Sequence, residues 1–151
     1  MSAAAVQAPL RLDSEVASYW ESLAEECKRQ MNSINAVVSE YQLPQGQAVA
    51  FKQERNTILM ACESHPSTEI KLSLAREHWG AKISASVRGY EEEDLRFYPE
   101  EFEFALGSDP DQGTVAISSE GRSLCPVEFA SFVAQHFRRS FPGLSLPCTG
   151  C

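Results

Sequence analysis

The hydrophobic period of this chain changes once, near residue 46, and that change restricts the fold more than any other feature of the sequence. Upstream of it, Val16, Trp20, Leu23, Cys27, Met31, Ile34, Val38 and Tyr41 follow one another at spacings of three or four. Only a helix gathers such a set on one face. Glu21, Glu25, Lys28, Arg29 and Asn32 fall largely elsewhere, as a solvated side would. Asp13 or Ser14 offers an N-cap and Glu15 a first-turn charge. Leu43-Pro44-Gln45-Gly46 ends the helix, because proline cannot continue it and glycine tolerates a turn. A helix this long with a single apolar stripe must lie across something.

Downstream the period becomes two. Val49 and Phe51 alternate with Ala48, Ala50 and Lys52. Ile58-Leu59-Met60-Ala61-Cys62 is a short apolar run. Ile70, Leu72 and Leu74 alternate with Lys71, Ser73 and Ala75; Ile83, Ala85 and Val87 alternate with Lys82, Ser84, Ser86 and Arg88. The turns between them are short: Glu54-Arg55-Asn56, Ser64-His65-Pro66-Ser67 and His78-Trp79-Gly80. Four such strands predict an antiparallel meander. Phe102, Phe104 and Leu106 predict a fifth strand, Gly107 to Gly113 a loop, and Val115 and Ile117 a sixth strand. A last helix opens at Cys125-Pro126-Val127-Glu128, with proline suited to the first helical position and Glu128 placed to reach back to the cap. Its apolar face holds Phe129, Phe132, Val133, His136 and Phe137, and Pro142-Gly143 stops it.

The expected fold is therefore α+β: a long N-terminal helix packed on an antiparallel meander of about six strands, followed by a C-terminal helix. Residues 13–143 form one domain, with flexible tails at 1–12 and 144–151. At 151 residues and 43% hydrophobic content, a core is attainable without disulfides or metal. The other face of the sheet, with Ala48, Ala50, Lys71, Ser73, Ala75, Ser84 and Ser86, is small and polar.

The net charge of −8 argues against nucleic acid as the main partner, since phosphate binding draws on Lys and Arg. No apolar run is long enough for a membrane span. The N-terminus lacks the basic and apolar regions of a signal peptide, and five irregularly placed cysteines suit a reducing compartment, so a cytoplasmic location is expected. The Cys148-Thr149-Gly150-Cys151 pair has no helix after it and no second pair to complete a zinc site. His65, His78 and His136 fit no metal pattern, and Glu77-His78-Trp79 reads as a turn beside an indole. Asp109-Pro110-Asp111-Gln112-Gly113 lacks the third acidic position and the final Glu of a calcium loop. No catalytic, cofactor or metal residues are assigned.

From Glu91 to Glu103 the chain carries seven carboxylates and one arginine, Arg96. Glu91, Glu92, Glu93 and Asp94, with Phe97 and Tyr98, form the candidate surface for a basic protein partner. The function expected on this ground is a non-catalytic protein-interaction module: an acidic inhibitor, adaptor or chaperone-like protein. The alternative is a small-ligand domain with a pocket between the first helix and the sheet, near Trp20, Trp79, Phe102 and Phe104. The oligomeric state stays open, a homodimer included. In size, charge and layout the chain resembles small acidic bacterial domains such as type III secretion chaperones, whose strand order is interrupted by a helix. That likeness carries no motif and assigns no residue.

Overall fold

The computed structural model describes residues 9–40, 49–62, 67–77, 80–91 and 96–137. Helix α1 spans Pro9–Glu40. It is followed by strands β1 (Val49–Glu54), β2 (Thr57–Cys62), β3 (Ser67–Glu77), β4 (Gly80–Glu91), β5 (Arg96–Asp109), β6 (Gly113–Ser118) and β7 (Ser123–Leu124), then by helix α2 (Pro126–Gln135). The strands form one antiparallel sheet in sequence order, and among the described residues no helix interrupts them. This is the expected α+β meander with one strand more than expected. Among the described residues no helix is long and apolar enough to cross a membrane.

The period arguments hold at the level of single side chains. Val16, Trp20, Leu23, Cys27, Met31, Ile34 and Val38 are all buried along α1. Tyr41 lies outside the described residues. Opposite them stand Ile58, Met60 and Cys62 of β2, Ile70, Leu72 and Leu74 of β3, and Ala81, Ile83, Ala85 and Val87 of β4. Each set is spaced by two, so one face of each strand meets the helices. Phe129, Val133 and Phe137 complete the core from α2 and the turn after it. Removing any of the fully buried aliphatic side chains, Leu23 for instance, costs about 2–5 kcal/mol on the usual scale for large-to-small core changes.

Three boundaries differ from the sequence expectation. Helix α1 opens at Pro9, ahead of Asp13 and Ser14, which therefore lie inside it; residues 9–12 are helical rather than a tail. A proline at the first helical position loses no hydrogen bond. Strand β5 runs through Gly107 and Ser108, expected as loop, because Gly107 pairs with Val115, Ser108 with Thr114 and Asp109 with Gly113. Gly107 serves close packing there: the Cδ1 of Ile117 lies 2.8 Å from where a Cβ would stand. The true turn is only three residues long. Asp109 Oδ1 accepts the N–H groups of Asp111 and Gln112 at 2.7 and 3.1 Å, and Gly113 takes φ +79°. Finally, β4 and β5 run further into the acidic segment than the alternations ending at Arg88 and resuming at Phe102 predict. β4 extends to Glu91, and β5 begins at Arg96 and pairs with it as far as Glu91↔Arg96.

Polar side chains of α1 fasten the sheet at its edges. Asn35 Nδ2 donates to the Val49 carbonyl at 2.9 Å, and Asn35 Oδ1 accepts the Val49 N–H at 2.7 Å. Its amide thus supplies edge strand β1 with the pair of bonds another strand would give. Trp20 Nε1 donates to the Arg55 carbonyl in the β1–β2 turn at 3.1 Å, and Tyr19 donates its hydroxyl to the Leu124 carbonyl of β7 at 2.8 Å. A flat seven-stranded sheet would hold its first and last strands ~29 Å apart, at ~4.8 Å per strand gap. Neighbouring residues, their Cα atoms ~3.8 Å apart, reach both ends of this one. The sheet is therefore curled about α1.

Replacing Asn35→Ala leaves the N–H and C=O of Val49 without these partners. The expected loss is about 1–3 kcal/mol, the cost of orphaning part-buried polar groups. Urea unfolding followed by circular dichroism measures it; a loss under ~0.5 kcal/mol would show that water substitutes freely for the amide.

Candidate functional site

A groove with an apolar lining lies where β5 outruns β6. β4 pairs with β5 from Arg96 to Ala105, whereas β6 pairs with it only from Phe104 to Asp109. Beyond Ser118 the chain leaves the sheet in a turn, Ser118 accepting the Gly121 N–H and donating to the Arg122 carbonyl. Gly121, at φ +87°, permits that reversal. The gap beside β5 is roofed on one side by α2 and opens as a groove of about 380 Å³.

The groove has an aromatic floor. Phe102 and Phe132 meet edge to face at 5.2 Å, Phe104 lies 5.8 Å from Phe132, and Phe104 rests on Phe129 at 4.5 Å. His136 packs against the same rings, 5.8 Å from Phe102 and 5.1 Å from Phe132. Phe104 and Phe129 are buried, but Phe102 and Phe132 are only half-buried. Edge-to-face packing is the preferred geometry of such rings and holds the floor rigid. The rim is charged: Glu101, Glu103 and Glu120 are exposed carboxylates, and Arg122 is the cation lining the same groove. Glu103 also lies 3.5 Å from Lys82, which stands 3.7 Å from Glu77. A larger depression, about 680 Å³, runs along the exposed flank of α1 beside Lys28, Arg29, Asn32 and Gln53. It is open and polar, the solvated side expected of an amphipathic helix.

The sequence-predicted residues divide between these regions and the undescribed ones. Glu92, Glu93 and Asp94 lie outside the described residues. Glu91, Phe97 and Tyr98 belong to the paired ends of β4 and β5, Tyr98 opposite Gly89 and Phe97 opposite Tyr90, with side chains outside the description. Of the four aromatics expected near a ligand pocket, Phe102 and Phe104 share the groove. Trp20 is buried, bonds the β1–β2 turn and is not among the residues that line the groove; Trp79 lies outside the described residues, as do His65, His78, Cys148 and Cys151. Sequence reasoning placed Phe132 on the apolar face of α2 but not beside Phe102, and gave Glu120 and Arg122 no role. The alternation of Glu101 and Glu103 about Phe102 was the available signal: a half-buried ring between two exposed carboxylates on one strand.

Cys27 and Cys125 are not set up as nucleophiles. Burial pushes Cys27 up to about 12, with the charge of Glu26 adding to it, and burial also raises Cys125. A reactive cysteine needs the opposite shift. The carboxylate of Glu128 is held below its ordinary range by the Cys125 N–H, which it accepts at 3.1 Å as the return bond of a helix cap. Among the described residues no group of three or more His, Cys, Asp or Glu could hold a metal ion. No protein-family model matches the chain, and neither a curated protein nor a solved structure matches it.

Because the folded chain holds the Cys27 proton more tightly than the unfolded chain does, that proton stabilises the fold at neutral pH. The contribution is complete below the ordinary thiol value of 9.0 and is lost as pH rises towards about 12. Burial raises the Tyr19 phenol as well, so its share begins to fall above 10.0. Unfolding free energy from urea titrations should therefore be flat from pH 7 to 8.5 and decline above pH 9, by at most ~1.4 kcal/mol per pH unit for each group. Cys27→Ala should remove the part that starts first. A level profile up to pH 11 would show that neither proton is held.

Proposed function

We propose that this protein is a non-catalytic interaction module that binds a basic segment of another protein in the groove beside β5. The observation that supports the reading is the groove itself, an aromatic floor of Phe102, Phe104 and Phe132 bordered by three carboxylates and one guanidinium. Aromatic rings supply contact area at small entropic cost, and a rim with an excess of one sign steers and selects a partner of the other. The net charge of −8 acts in the same direction at longer range. An inhibitor, adaptor or chaperone-like role fits this chemistry, and a cytoplasmic setting fits the thiols of Cys27 and Cys125. A second reading keeps the groove and changes the occupant. Its volume of about 380 Å³ lies within the range of small-molecule sites, and Phe102 and Phe104 would be the contacts.

The test compares the wild type with Glu101→Gln/Glu103→Gln/Glu120→Gln as bait in lysate of the native host, at low and high salt. All three positions are exposed, so the variant should fold normally. A stoichiometric partner should be retained by the wild type at low salt, released at high salt, and held roughly ten-fold more weakly by the variant. A partner bound equally by both baits would overturn the acidic-groove reading. A bait that carries only a small molecule in native mass spectrometry would favour the second one.

A further inference from the structure

The direction of the main-chain groups along β5 can be deduced from two hydrogen bonds elsewhere in the sheet. Ser118 donates its N–H to the Arg122 carbonyl, across the β6–β7 hairpin. Main-chain groups alternate sides along a strand. Ala116 and Thr114 therefore also face β7, while Ile117, Val115 and Gly113 face β5, where they meet Ala105, Gly107 and Asp109. Continuing the alternation down β5, Glu103, Glu101, Pro99 and Phe97 turn their main-chain groups to the β6 side, and Phe102 and Phe104 turn theirs to β4. The other end of the sheet gives the same phase independently. Leu74 donates to the Asn56 carbonyl on the β2 side, which places Ser73 towards β4, Ser84 towards β3 and Ala85 towards Phe102. Neither ladder of β5 skips a residue.

From Arg96 to Glu103, then, β5 has a strand on one side and, among the described residues, none on the other. The open side offers the N–H groups of Phe97, Glu101 and Glu103 and the carbonyls of Phe97, Pro99, Glu101 and Glu103. Pro99 falls where its missing N–H would have pointed to the open side, so it removes no bond from the β4 ladder. The groove runs along this same edge.

We infer that the basic segment binds by strand addition, pairing with Glu101–Glu103 in the line that β6 vacates. The inference rests on the interaction reading given above and specifies its mode. Main-chain bonds would supply affinity, and alternate side chains specificity. A residue opposite Glu101 or Glu103 shares their exposed face, and the residue between them shares the face of Phe102. The segment recognised is thus basic–apolar–basic, with its apolar side chain on the Phe102–Phe132 floor. The same residues reject a second copy of this edge, because Glu101 and Glu103 would then meet carboxylates; charge and proline are the usual guards of an open strand.

The probes are four blocked nonapeptides in which Lys alternates with Val, Ile, Leu or Phe, added to the intact protein. Binding is read by isothermal titration, and the contact by amide hydrogen exchange in NMR spectra. Exchange at Glu101 and Glu103 should slow at least ten-fold at saturation while that of Phe102, already bonded to β4, stays unchanged. Glu101→Gln/Glu103→Gln should weaken binding about five-fold. Peptides of Glu alternating with the same apolar residues should not bind. If Lys peptides bind with the expected salt and variant sensitivity but leave Glu101 and Glu103 exchange unaltered, strand addition is overturned and the acidic-groove reading stands. If no Lys peptide binds, strand addition is overturned, and the bait comparison with the triple variant decides the reading by itself.

Discussion

Two consecutive side chains hold this molecule in shape. Tyr19 bonds the carbonyl of Leu124 and Trp20 that of Arg55, so the last strand and the first hairpin are anchored one residue apart on a single helix. Both bonds are made from rings that are themselves buried. Breaking either one would leave a buried or half-buried polar group without its partner, which costs more than the bond is worth in water. The curl of the sheet follows from this anchoring. Strand β7 is held twice: Tyr19 bonds the Leu124 carbonyl, and Leu124 and Ser123 pair with Ala116 and Ile117. With β7 and α2 drawn against α1, β6 is short and β5 is left to run past it, and the groove is the remainder.

Much of this was legible from residue spacing. The stripe from Val16 to Val38 and the alternation through β3 and β4 depend only on which side chains avoid water, and burial follows them residue by residue. What spacing did not reveal is where strands stop. Gly107 reads as a breaker because glycine is disfavoured in strands, yet here Ile117 occupies the space a side chain would take. Ser123 and Leu124 carry too few residues to show any period; they are a strand because of Tyr19, more than a hundred positions away in sequence. Tyr19 itself fell outside the helical stripe, since its reason for burial is the hydroxyl's partner as much as the ring.

The candidate site was half legible. Phe102 and Phe104 were singled out as aromatics beside the sheet, and the carboxylates around them as a charged segment, but the two were read as separate features. They are one feature. Alternation puts the rings on the helix side and the carboxylates on the other, and where no described strand flanks β5 both line the same groove. Glu120 and Arg122 join them through a turn, and the identity of turn neighbours across a sheet cannot be read from local pattern.

The bond between Tyr19 and Leu124 spans 105 residues, and the approach of Gln30 to Ser131 spans 101. Helix α1 is therefore synthesised well before the elements that hold it in place. Throughout synthesis of the sheet, α1 has no partner for the side of its stripe that faces α2, and a lone amphipathic helix is marginal in water. Such a chain folds at the slow end for its size, since its defining contacts are non-local. Its nascent form exposes the apolar stripe of a long amphipathic helix before the sheet that covers it is complete.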